Sequence, residues 1–311
     1  MLNTLYILAG VLFLYIGGEA LVRGAYRGAL RVGVTPLVAG LVVVSCSTSM
    51  PEAVSSIVAQ LRGNLGSVAL GNIIGSNIAN VGLILGLTAL VQPVRVAPVM
   101  AKREMPLMLL SLIILGLFLL IHFLGRLAGI ILLALLVLYI ILQVILGRKE
   151  HQKPLTLHTN HWGWARDLFL IVGGAIGLVV GGYSLIEGAL GVARALQLSE
   201  RIIGLTIVAI GSSLPELATT LVAALRRQSD IALGNVIGSN VFNALLITGV
   251  VCLIHPLTYA PRLLLIDTPV MIGLSLLLWA LTARPTISRP AGALLLVLYA
   301  AYLTVLLTTH F

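Results

Sequence analysis

Gly71-Asn72-Ile73-Ile74-Gly75-Ser76-Asn77-Ile78-Ala79-Asn80 returns 163 residues later as Gly234-Asn235-Val236-Ile237-Gly238-Ser239-Asn240-Val241-Phe242-Asn243. A second stretch, Ser47-Thr48-Ser49-Met50-Pro51-Glu52, returns 164 residues later as Gly211-Ser212-Ser213-Leu214-Pro215-Glu216. Ala97-Pro98 with Glu104 and Pro106 returns as Ala260-Pro261 with Asp267 and Pro269, again after 163 residues. Three matches at nearly one offset make the chain an internal duplication. Its halves are residues 1–146 and 167–311, separated by the one sizeable polar linker, 147–166.

The medium around these motifs is set by composition. The 311 residues are 59% hydrophobic and 9% charged, where a soluble domain carries about 25% charge. Mean hydropathy is +1.11. A cytosolic enzyme, a disordered regulator and a secreted disulfide module are excluded; a polytopic membrane protein remains. Cys46 and Cys252 both sit in apolar runs and suggest no disulfide framework. Apolar runs of about 20 residues can cross a bilayer as helices. Ten are expected, at 3–22, 34–61, 66–91, 104–121, 127–146, 167–193, 202–225, 230–254, 264–282 and 291–308. The first lacks a basic segment before it and a small-residue cleavage site after it, so it reads as a retained helix.

The net charge of +9 is an orientation signal, not a nucleic-acid footprint. Of 19 Lys and Arg, 14 lie in loops after odd-numbered spans and five in loops after even-numbered ones. The positive-inside rule then puts the odd loops in the cytoplasm and both termini outside an inner or plasma membrane. Each half holds five spans, an odd number, so the second copy is inverted. Inverted repeats are common in secondary transporters, whose sites lie near the midplane where the repeats meet. Residues 45–52 and 211–216 fall at that depth.

Glu52 and Glu216 are the central residues. A carboxylate near the bilayer centre costs at least ~2.5 kcal/mol on insertion scales. No basic residue lies between Arg31 and Arg62, or between Arg201 and Arg226, so the counter-charge reads as a mobile cation or a proton. Each Glu follows a proline, which removes a helical hydrogen bond and distorts the turn. Thr48, Ser49, Ser212 and Ser213 add hydroxyls within a turn. Ser76, Asn77, Asn80 and Ser239, Asn240, Asn243 add more oxygen, with 76/80 and 239/243 each on one helix face. An all-oxygen set suits hard cations such as Ca2+, and Na+ as well; Mg2+ dehydrates too reluctantly. Soft metals want thiolate or imidazole.

At these residues the chain resembles the cation/calcium exchanger superfamily, the sodium/calcium exchanger-like proteins. Their repeats read roughly G-[TS]-S-x-P-E and G-S-N-x-x-[ND], and the resemblance covers almost the whole chain. It implies an all-α fold of ten helices, with four short, broken core helices around the cation sites. It implies Na+/Ca2+ antiport by alternating access, with Ca2+ and Na+ as transported ions and no cofactor. The implied ligands are Thr48, Ser49, Glu52, Ser76 and Asn80, with Ser212, Ser213, Glu216, Ser239 and Asn243. Backbone ligands are implied at Ser45 and Ala209, and the first and sixth helices resemble the family's sliding gate. Ser47 departs from the pattern's Gly. Asn243 departs from the Asp of the potassium-dependent branch and argues against K+ co-transport. Gly75 and Gly238 stand where the proton/calcium branch carries Glu in G-N-x-x-E, which leaves H+/Ca2+ exchange as the alternative.

The remaining polar residues read more plainly. Glu19 and Arg23 form an i, i+4 pair. Glu104 and Asp267 are expected to start their helices and complement the dipole. Glu187 reads as an outer interfacial residue. His151, His158 and His161 match no metal template and read as solvated linker, with Trp162 and Trp164 as an interface anchor. No nucleophile–base grouping or H-E-x-x-H motif supports an enzyme. A channel would use carboxylate rings; proline-broken inverted repeats fit alternating access better. Nothing requires more than a monomer.

Overall fold

The computed structural model describes residues 2–63, 66–150, 161–195, 213–259 and 261–308. Its helices are α1 (Leu2–Val32), α2 (Pro36–Thr48), α3 (Met50–Gly63), α4 (Gly66–Val91), α5 (Met100–Leu120), α6 (Arg126–Glu150), α7 (His161–Ala195), α8 (Leu214–Leu225), α9 (Ser229–Ile254), α10 (Leu263–Thr282) and α11 (Arg289–Thr308). Eight are long and apolar enough to cross a membrane, and the bent pair α2/α3 makes a ninth span. Of the expected span 202–225, only α8 lies among the described residues. The protein is a polytopic helical membrane protein.

Contacts between chain ends reveal the threading. The loops after the third and ninth spans pair as an antiparallel ribbon, with Val94 opposite Ile287 and Arg95 opposite Thr286. The Arg95 N–H also donates to Ser229 Oγ at 3.2 Å, beyond the seventh span. Arg31 Nε, after the first span, donates to Asp167 Oδ2, before the sixth, at 2.5 Å. At the opposite end, the Leu257 N–H donates to the Leu124 carbonyl at 2.8 Å, and Gln60 Nε2 to the His255 carbonyl at 3.1 Å. Each pairing joins odd loops with odd or even with even. A chain that crosses once per span requires this, and it places the two halves in opposite orientations.

The centre belongs to α4 and α9, the helices carrying the first quoted motif. In each, 78% of the most apolar window is buried, against 17% in α11. Matched prolines shape the neighbouring helices. Pro106 and Pro269 cannot bond to the carbonyls four residues back, and wide π-type turns precede them at Met100–Glu104 and Leu263–Asp267. A second matched pair of wide turns runs Asn80–Leu85 and Asn243–Ile247. Such turns recur at functional sites.

Two expectations change here. Glu104 and Asp267 do not start their helices. Both are buried inside them: Glu104 accepts from Arg103 Nε and Gln143 Nε2, each at 2.5 Å, and Asp267 accepts from the Tyr302 hydroxyl at 3.0 Å. They tie α5 to α6 and α10 to α11, so side-chain partners, not a helix dipole, compensate them. The first helix also runs ten residues past its expected end. Arg23, Arg27 and Arg31 end the apolar run but not the helix, which stops where Gly33 takes φ +73° and the Val34 N–H reaches the Ala29 carbonyl at 3.0 Å. The Glu19–Arg23 pair is present, and Arg226 at the end of α8 joins it.

α1 and α7 lie antiparallel and share one seam. Glycines recur every seven residues on both, at 10, 17 and 24 and at 174, 181 and 188. A Cβ added to Gly17 would lie 2.7 Å from the Leu178 amide nitrogen, and one on Gly181 2.7 Å from that of Leu14. This is the small-residue packing that lets membrane helices approach closely. Gly173, on the exposed face of α7, meets no described atom within 4 Å. We expect Gly17→Val to lower the thermal midpoint, since overpacking costs about 1–3 kcal/mol. Gly173→Ala leaves it unchanged or higher. Thermal unfolding in detergent, followed by intrinsic fluorescence, compares the two.

Candidate functional site

The two P-E motifs enter their helices with the same backbone geometry. Ser49, between α2 and α3, has φ −79° and ψ 4°; Ser213, at the start of α8, has φ −92° and ψ 8°. α2 and α3 meet at a 43° bend. Pro51 and Pro215 sit two residues beyond these serines, and each Glu follows inside the first turn of its helix.

The two motifs aim each half at the other. Ser49 Oγ donates to Glu216 Oε1 at 3.2 Å, and Ser213 Oγ donates to Glu52 Oε1 at 3.4 Å. Each carboxylate is therefore held by the serine of the opposite repeat. The asparagines follow the same crossing. The Asn80 turn packs on α8, which carries Glu216, and the Asn243 turn packs on α3, which carries Glu52. Asn80 Nδ2 donates to Asn240 Oδ1 at 3.2 Å, and Asn243 Nδ2 to Asn77 Oδ1 at 3.1 Å.

The atoms left over define what the site can do. Glu52 and Glu216 are 1% and 2% exposed, and Asn80 and Asn243 1% each. Glu52 Oε2, Glu216 Oε2, Asn80 Oδ1, Asn243 Oδ1 and Ser239 Oγ are buried with no hydrogen-bond partner among the described residues. A buried polar atom without a partner costs about 1–3 kcal/mol, more if charged. Four of the five form matched pairs, and all are oxygens. Among the described residues no three His, Cys, Asp or Glu side chains converge, so hydroxyls and amides must complete any cation shell. The free oxygens suit a hard cation as cargo.

The other expected residues fall as follows. Thr48 is fully buried; its hydroxyl bonds to the Ser45 carbonyl at 3.3 Å and to Asn235 Oδ1 at 3.2 Å. The Ser45 carbonyl also receives the Ser49 N–H at 3.0 Å, and the Ser45 side chain turns back to the Leu41 carbonyl at 2.6 Å. Ser76 is buried on α4. Ala209 and Ser212, like linker residues 151–160, lie outside the described residues. Ser47, the departure from Gly, donates to the Val43 carbonyl at 2.8 Å and so points along its own helix. Gly238 makes room for the Leu41 carbonyl and Ser45 Oγ, which an added Cβ would strike. Gly71 and Gly75 meet no described atom within 4 Å; the segment equivalent to 37–45 is not among the described residues.

Sequence reasoning passed over a second layer. Asn72 Nδ2 donates to the Glu52 carbonyl at 3.3 Å and to Ser56 Oγ at 3.0 Å. Asn235 Nδ2 repeats this with the Glu216 carbonyl at 3.4 Å and Thr220 Oγ1 at 2.9 Å. Both Asn residues brace the first turn of the helix that carries the Glu. The signal was present in the duplication, because Asn72/Asn235 and Ser56/Thr220 are matched pairs.

Comparison with known proteins agrees with this architecture. A family model described as sodium/calcium exchanger protein matches residues 2–145 and 167–308. The sodium/calcium exchanger MaX1 of Methanosarcina acetivorans is 33% identical, covering 98% of each chain. The inner membrane protein YrbG of Escherichia coli is 36% identical over 95% of this chain and 94% of its own. A solved structure of the sodium-calcium exchanger NCX_Mj superposes with a TM-score of 0.85 at 33% identity, covering 97% of this chain and 98% of that one.

The bracing asparagines differ in depth: Asn235 is fully buried and also accepts from Thr48, whereas Asn72 is half-buried. We expect Asn235→Ala to cost about 1–3 kcal/mol, from lost bonds and stranded partners, and Asn72→Ala distinctly less. Thermal midpoints of the two variants measure the difference.

Proposed function

This chain belongs to the sodium/calcium exchanger family, and from that premise we propose that it is a secondary antiporter that exchanges Na+ for Ca2+ by alternating access. The ligands are Thr48, Ser49, Glu52, Ser76 and Asn80 from the first repeat, and Ser212, Ser213, Glu216, Ser239 and Asn243 from the second. The Ser45 and Ala209 carbonyls add backbone oxygens. Residues 1–146 and 167–311 are the two repeats, joined by a cytoplasmic linker at 147–166. The 14 to 5 distribution of Lys and Arg supports an inner-membrane location with both termini outside.

The observation that carries this reading is the matched set of orphaned oxygens, Glu52 Oε2 with Glu216 Oε2 and Asn80 Oδ1 with Asn243 Oδ1. Among the described residues, the protein supplies two carboxylates and amide carbonyls at one place and no cationic side chain bonded to them. One Ca2+ cancels both charges, and Na+ ions with neutral oxygens do the same. Ca2+ takes six to eight oxygens, a number within reach of the two repeats together. Asn at 80 and 243 limits the core to two acids, which favours Na+ coupling without K+.

The experiment is Ca2+ uptake into proteoliposomes. We expect an outward Na+ gradient to drive uptake without K+. Glu52→Gln and Glu216→Gln should each bring uptake to background while leaving the thermal midpoint near that of the parent. Near-normal uptake in either variant removes the shared site. Uptake driven by a pH gradient and indifferent to Na+ assigns the coupling to protons.

A further inference from the structure

Asn77 and Asn240 hold the site's asparagines in place, and two methionines hold them in turn. Asn240 accepts from Asn80 Nδ2 at 3.2 Å, and its own Nδ2 donates to Met108 Sδ at 3.5 Å. Asn77 accepts from Asn243 Nδ2 at 3.1 Å, and its own Nδ2 donates to Met271 Sδ at 3.5 Å. Each member has a partner 163 residues away: Asn77 and Asn240, Asn80 and Asn243, Met108 and Met271. All are buried, with both methionines at 0–1% exposure.

We propose that Met108 and Met271 are positioning residues, each fixing through one asparagine which end of a ligand amide faces the cation. An asparagine side chain has a donor end and an acceptor end of nearly the same shape. A cation needs the acceptor. Nothing in the bulk of Asn80 or Asn243 selects the carbonyl-inward rotamer; a hydrogen bond to its Nδ2 does. That bond requires the Asn240 or Asn77 carbonyl to face the ligand amide. It faces that way only while Nδ2 on its other side has an acceptor, and the thioether is that acceptor. A flipped Asn240 would set carbonyl oxygen against sulfur and present its NH2 to the NH2 of Asn80. The direction thus passes from Met108 through Asn240 to Asn80, and from Met271 through Asn77 to Asn243. Each path crosses between the repeats, because Asn80 is oriented by a residue of the other half.

The inference rests on the proposed site, and double-mutant cycles keep the two separable. Met108→Leu and Met271→Leu keep volume and apolarity, which cores tolerate well, and remove only the acceptor. We expect each to raise the half-saturating Ca2+ concentration in equilibrium binding by about three- to tenfold, the range one hydrogen bond commands. The transport rate at saturating Ca2+ and the thermal midpoint stay near the parent values. The coupling is selective. Met108→Leu should have no further effect on an Asn80→Ala background and its full effect on Asn243→Ala; Met271→Leu should behave in reverse. Contacting pairs couple in such cycles, and independent ones add. Parent-like affinity in both leucine variants, or effects additive on every background, overturns the relay while the site stands. Unchanged Ca2+ affinity in Asn80→Ala and Asn243→Ala overturns the site itself. Should one leucine variant misfold, the cycle on the other methionine decides.

Discussion

Two carboxylates that the protein does not neutralise are the constraint on which the rest of the structure depends. Glu52 and Glu216 lie in the most buried part of a chain whose other described acids mostly have protein partners. Glu19 has Arg23 and Arg226, Asp167 has Arg31, Glu104 has Arg103 and Gln143, and Asp267 has Tyr302. The contrast is within one molecule, so the membrane alone does not explain it. Each of these four acids is compensated by a neighbouring side chain. At Glu52 and Glu216 it supplies one serine hydroxyl to Oε1 and leaves Oε2 for something else.

The duplication turns that constraint into a geometry. A single proline-broken helix would expose its Glu to the bilayer at a cost. Two inverted copies face their P-E motifs together, and each shields the other's acid. The crossing of the hydrogen bonds, serine to opposite Glu and asparagine to opposite asparagine, means that neither half is complete alone. On the proposed reading, a cation held between them would be shared by both halves. The α1/α7 pair stands beside this core, packed through glycines into one unit and joined to α8 through Glu19 and Arg226.

The sequence was a good guide where the physics is local or repeated. Pro51 forecast the bend between α2 and α3, and the lack of nearby Lys or Arg forecast the unpaired acids. The common offset forecast the inverted halves. It was a poor guide where the answer depends on what packs opposite. Arg23, Arg27 and Arg31 ended the hydropathy signal ten residues before Gly33 ended the helix. Glu104 and Asp267 were expected at helix starts, yet Pro106 and Pro269 follow wide turns inside longer helices. Asn72 and Asn235 were visible as repeated letters. Their bracing of the Glu52 and Glu216 carbonyls depends on α3 packing against α4 and α8 against α9, which spacing does not encode. Met108 and Met271 carried no signal beyond their offset.

The same charge arithmetic bears on why such a site would exchange ions and not leak them. With both glutamates ionised and no cation between them, any movement that closes the core over the site carries two unpaired charges into a low dielectric. Desolvating one such charge costs several kcal/mol after relaxation, and each 1.4 kcal/mol of barrier is about tenfold in rate. The asparagine carbonyls deepen the effect. On the proposed reading, Asn77 and Asn240 would hold them inward, presenting negative dipole ends to the same space and keeping their NH2 groups from turning in as substitutes for a cation. A site whose amides were free to flip would partly solvate its own empty state and lower the barrier to empty return. On the proposed reading, fixed amide direction would therefore serve coupling as well as affinity: it would keep the vacant core costly, so that the crossing is made by the loaded one.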